Sequence, residues 1–169
     1  MKKSQWQKDF EAFYEKYPDC PLSEDIESLS LVMKREYAEQ IKNGTKVIEF
    51  RDFSEFYCKR LFDKEVDAYV NAHKDNQEVM DALHRQIVTP LRIVNNLHFH
   101  NYNNSWTMDV ECVENSVILL CEEDVKYLQD KYDCHELDEE LKAFEGAADE
   151  ERPMLFWFAC GKVTDSKNI

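Results

Sequence analysis

The sequence predicts an α+β fold, a small curved β-barrel surrounded by helices, with an extra helix at its N-terminus. Three observations lead there. Aromatic residues recur at helical spacing near the start. A strand, a short helix and a second strand follow within residues 29–51. Beyond residue 90 the texture changes to alternating and apolar runs broken by turn residues.

Trp6, Phe10, Phe13, Tyr14 and Tyr17 form one face of the first helix. Ser4 is placed to cap it, and Pro18 and Pro21 end it. So short a helix is rarely stable alone, so its aromatic stripe is expected to dock on the protein's own core. Leu29 to Met33 read as a buried strand and Glu36 to Asn43 as a two-turn helix, with Gly44 where a left-handed cap is wanted. "KVIEFRDF" reads as the second strand. Residues 54–88 return to helix, with a break at "KDNQ", 74–77. "RIVNNLHFHNY" and "SWTMDVECVENSVILLC" read as strands turning at "NYNNS". Two acidic helices, "EEDVKYLQDKY" and "ELDEELKAFEG", precede a last buried strand, "MLFWFACGKV". The acid-rich stretch 136–151 is expected to be solvated helix and loop.

The formal charge is −14, from 35 acidic and 21 basic residues. Such a surface repels long duplex nucleic acid, whose affinity comes largely from neutralised phosphates, and leaves small ligands or short RNA as candidates. Six cysteines fall singly, with no Cys-x-x-Cys pair, and "MKKSQWQKDF" carries no apolar core of signal-peptide length. Free thiols and a cytoplasmic location are the expectation. No apolar run approaches the ~20 residues of a membrane span, so no membrane association is expected.

The stretch "NGTKVIEFR", residues 43–51, crowds Lys46, Glu49 and Arg51 onto a short apolar strand. Strand alternation puts Val47, Glu49 and Arg51 on one face and Ile48 and Phe50 on the other. A partly buried charge demands a partner, so these residues form either an ion-pair network or a ligand pocket. Gly44, Lys46, Glu49 and Arg51 fit the pattern Gly-x-Lys-x-x-Glu-x-Arg, and in this the chain resembles the ASCH domain family, relatives of the PUA fold. The resemblance covers about residues 28–62 and 91–165 of a single ASCH-like domain, 1–169. Residues 1–25 are then an N-terminal helical extension and 63–90 a helical insertion.

The resemblance implies a barrel with a cleft beside the motif and a link to RNA, nucleotides or modified nucleosides. Some relatives are amidohydrolases acting on acetylcytidine, where the motif lysine works with a threonine three residues on and a distant glutamate. Lys46 matches that lysine, but Glu49 stands at the threonine position. Lys46 and Glu49 are the candidate catalytic pair, for proton transfer. Arg51 is a candidate phosphate or carboxylate grip.

Tyr102 and Trp106 are candidate stacking residues, a contact worth roughly 1–3 kcal/mol per base. His98 and His100 share a strand face and imidazole suits zinc, but no third ligand is evident from the spacing, and neither metal nor cofactor is expected. The leading expectation is a nucleotide- or RNA-binding protein. A hydrolase of modified nucleosides or RNA is the alternative, and a protein-interaction module built on the first helix is the third.

Overall fold

The computed structural model describes residues 1–169. It contains seven α-helices, a 3₁₀ turn at Asp149–Glu151 and five strands. The chain divides into two compact units, one of residues 1–25 and 58–92 and the other of residues 26–57 and 93–169.

The first unit is helical. Helix α1 (Gln5–Lys16) begins with a capping box, in which the Ser4 hydroxyl accepts from Gln7 N–H and the Gln7 side chain accepts from Ser4 N–H. Helix α3 (Glu55–Leu61) ends in this unit, which also holds α4 (Lys64–Ala72) and α5 (Gln77–His84). The break at "KDNQ" has a local cause, because Asn76 caps α5 by accepting from Val79 N–H at 3.2 Å. Phe13 packs with Val66, Val70, Val79, Ala82 and Val88, and Phe10, Tyr14 and Tyr17 lie against the same cluster. The aromatic stripe of α1 thus serves the core of its own unit.

The second unit holds β1 (Leu29–Val32), α2 (Arg35–Asn43), β2 (Ile48–Asp52), β3 (Asn96–His100), β4 (Thr107–Leu119), α6 (Glu122–Tyr132), α7 (Asp138–Ala143) and β5 (Met154–Lys167). One curled five-stranded sheet, a half-barrel, runs in the order β1-β3-β4-β5-β2. Only β1 and β3 are parallel; the other pairs are antiparallel. Register shifts between Asp109 and Glu114 bend the two longest strands, as bulges do. Gly161 passes so close to β4 that an added Cβ would meet the Val113 side chain at 2.7 Å.

Cross-strand partners share a face, and each face of the sheet carries a buried cluster. On one lie Leu31, Phe99, Met108, Val110, Phe156 and Phe158, all buried. On the other, Ile48, Ile118, Trp157 and Ala159 pack with Val125 and Leu128 of α6 and with Leu137. Glu49 and Arg51 stand opposite Phe158 and Phe156, so the motif charges project onto the first, apolar face.

Strands β1 and β2 are the sheet's two edges. Cys160 N–H donates to the Val47 carbonyl at 2.8 Å. Antiparallel alternation therefore turns the backbone of Glu49 and Arg51 toward β5 and that of Phe50 away from it. By the same logic Met33 N–H, donating to the His100 carbonyl at 2.9 Å, leaves the Val32 backbone facing outward. The barrel is open along this seam.

Gly44 turns the chain from α2 toward the motif at φ +84°, with nothing within 4 Å of a Cβ placed there. Gly44→Ala is therefore expected to be destabilising by about 1 kcal/mol through the backbone alone, and Gly44→Asn by less. Urea midpoints of the two variants check this; equal midpoints for wild type and the alanine variant would contradict it.

Candidate functional site

The site is assembled by local chemistry first. Gly44 caps α2, and Thr45 and Lys46 both donate backbone N–H to the Gln40 carbonyl, at 3.0 and 3.1 Å. The helix end therefore holds the chain through Lys46, and regular strand starts only at Ile48. Lys46 and Glu49 are each only 8% exposed and are the buried charged residues of the chain.

Lys46 Nζ binds both carboxylate oxygens of Glu136 at 3.0 Å and lies 3.9 Å from Glu49 Oε1. Glu49 Oε1 also accepts from Phe50 N–H at 3.1 Å, so the carboxylate folds over the strand edge and satisfies a backbone donor that faces away from β5. Arg51 Nη2 donates to Glu49 Oε2 at 3.4 Å and to the Val32 carbonyl at 2.9 Å, and Nη1 donates to the Tyr57 hydroxyl at 3.1 Å. One guanidinium thus ties β2 to β1 across the seam. Two motif side chains do there what a ladder of backbone bonds does elsewhere in the sheet.

Burial pushes the Glu49 carboxyl above its ordinary value, and Arg51, Lys46 and the Phe50 N–H pull it part of the way back. Glu49 combines a raised affinity for a proton with access to a cleft. That cleft, about 370 Å³, is lined by Val32, Met33 and Lys34 at the end of β1, Tyr37 of α2, Glu49 to Asp52 of β2, and Tyr57. A second cleft of about 340 Å³ lies in the helical unit, but both of its cations are already matched, in the pairs Lys16–Glu78 and Arg85–Asp9.

The sequence-predicted residues divide in two. Lys46, Glu49 and Arg51 come together, and Glu49 and Arg51 line the cleft, whereas Lys46 sits behind Glu49 with its ammonium on Glu136. Tyr102, 92% exposed in the turn after β3, and Trp106, 3% exposed, are not among the cleft-lining residues. The aromatic rings that line the cleft are those of Tyr37 and Tyr57 instead, because the Phe50 side chain turns to the opposite face and packs with Ile48 and Trp157. Glu136 is the member that sequence reasoning missed. It lies 90 residues from Lys46 in an acid-rich run that reads as solvated, and nothing in its spacing distinguishes it from its neighbours.

His98 Nδ1 pairs with Asp109 Oδ1 at 2.9 Å, and no group of three or more His, Cys, Asp or Glu side chains converges on a metal position. The six cysteines are free thiols, and burial pushes Cys58 and Cys160 up, away from nucleophilic thiolate. No helix is long and apolar enough to cross a membrane.

The raised Glu49 pKa has a signed consequence. The folded state holds that proton more tightly than the unfolded chain, so the contribution is full below the ordinary carboxyl value of 4.5 and is lost as pH rises through the folded value. Relative to Glu49→Gln, wild-type stability should therefore fall as pH rises from 4 to 7. Urea midpoints of both proteins across that range measure it; a flat or rising difference would contradict it.

No family model matches the chain, and no curated protein or solved structure matches it.

Proposed function

We propose that the chain binds a nucleotide, a modified nucleoside or a short RNA end in the cleft between β1, α2 and β2. The observation that carries this reading is the cleft's lining, which sets two cations, Lys34 and Arg51, beside the phenol rings of Tyr37 and Tyr57 on a chain of net charge −14. A volume of about 370 Å³ falls in the range of small-molecule sites. Three of the five N–H donors of Arg51 are spent on Tyr57, Val32 and Glu49, which fixes the fork and leaves donors for a phosphate. The rings offer faces for a base. The ASCH resemblance at Gly44, Lys46, Glu49 and Arg51 points to the same ligand class, and a PUA-like identity for the half-barrel belongs to this proposal.

A second reading is favoured by Glu49 alone. It is a buried carboxyl with raised proton affinity on the wall of the cleft, the disposition of a general acid or base in the hydrolysis of a modified nucleoside or RNA. Lys46 supports that role indirectly, by its charge, because its ammonium is held by Glu136.

Titration of ¹⁵N-labelled protein with cytidine and adenosine monophosphates, and with the matching nucleosides, tests the binding reading. The expected result is saturable shifts at Val32–Lys34, Tyr37 and Glu49–Asp52, weakened about tenfold in Arg51→Lys as the planar fork is lost. No shift at these residues with millimolar ligand would overturn it. Mass spectrometry of parallel incubations with acetylcytidine and short RNA decides between the readings, since a product lost in Glu49→Gln makes the site hydrolytic.

A further inference from the structure

The outward face of β3 carries chemistry that the cleft does not use. Strand alternation buries Leu97 and Phe99 and leaves His98 and His100 on the opposite, partly exposed face. Each ring is held through its own Nδ1. His98 Nδ1 meets the Asp109 carboxylate at 2.9 Å and His100 Nδ1 meets the Asn101 carbonyl at 2.8 Å. A backbone carbonyl only accepts, so Nδ1 of His100 carries the proton; a carboxylate imposes the same on His98. In the neutral tautomer so fixed, the lone pair of each ring is on Nε2. Metal-ligating histidines are oriented in this way, with the second nitrogen donating to a carboxylate or a backbone carbonyl.

The spacing fits a shared ion. The two ring centroids lie 5.7 Å apart with planes inclined at 31°. With metal–nitrogen bonds of ~2.0–2.1 Å, two imidazoles on one tetrahedral ion have centroids about 5 Å apart, close to the separation here. Across the strands, His98 stands between Ser30 and Asp109, and His100 between Val32 and Thr107. Asp165 faces Asp109 from β5 and offsets the nearby Lys167 charge.

We propose that His98 and His100 form a two-histidine site for a divalent transition-metal ion of the zinc, nickel and copper class, with Asp109 and the Asn101 carbonyl orienting the rings and water completing the coordination. The sequence offers no third protein ligand, and the site does not need one to bind an exchangeable ion. It is separate from the cleft, which contains neither histidine.

The test is histidine-ring NMR during titration with Zn²⁺ alone. Before metal, His98 and His100 should both show the Nδ1–H tautomer. One equivalent should then shift their Nε2 resonances selectively, leaving His73, His84 and His135 in place. Asp109→Asn should weaken binding about tenfold, the usual effect of losing an orienting partner. Zn²⁺ that moves neither ring, or that binds the variant carrying both His98→Ala and His100→Ala as tightly as wild type, would overturn the site. Both substitutions fall on a polar outer face, and an unchanged melting temperature verifies that the variant is folded.

Discussion

The open seam between β1 and β2 is the constraint on which the sheet-bearing unit rests. A curled sheet that does not close leaves backbone donors and acceptors on two edges that face each other, and buried groups of that kind are costly unless paired. Arg51 and Glu49 meet the requirement with side chains, one bonding the Val32 carbonyl and the other the Phe50 N–H. Arg51 suits the task because its planar fork reaches three acceptors on β1, on β2 and at Tyr57. Glu49 in turn requires cations, because it projects onto a face otherwise built of Phe156, Phe158 and their neighbours. The cleft and the closure are therefore built from the same atoms.

That dual use explains the division of labour along the motif. Lys46 is turned to Glu136 by the helix cap that precedes it, so its role is to neutralise a buried carboxylate from behind. Glu49 sits between two cations and keeps a raised affinity for its proton because desolvation outweighs both. Arg51 faces the cleft with part of its donor set already fixed. Such a preorganised fork binds an anion with less loss of side-chain freedom than a solvated lysine does. On the binding reading proposed above, the net charge of −14 would act as a filter, disfavouring long duplexes while a small ligand meets only local fields.

Much of this was legible in the sequence wherever the cause is local. Ser4, Asn76 and Gly44 mark helix ends because capping needs only residues within a turn. The alternation in "LHFHNY" announced β3 and its faces. The strand order was not legible, because the parallel pairing of β1 with β3 and the pairing of β2 with β5 depend on contacts more than 60 residues apart. Glu136 was hidden for the same reason. Trp106 and Tyr102 illustrate a different limit. A turn sets their directions, and the large apolar ring went inside while the exposed phenol stayed in water.

Amide hydrogen exchange in Arg51→Met examines the seam directly. Loss of the guanidinium should raise exchange at Met33 and Phe50, the amides beside the two edges, well above any change at Val110 in the middle of the sheet. Unchanged protection of Met33 and Phe50 in a folded variant would mean that the edges are held by something other than the motif, and that the seam does not depend on Arg51.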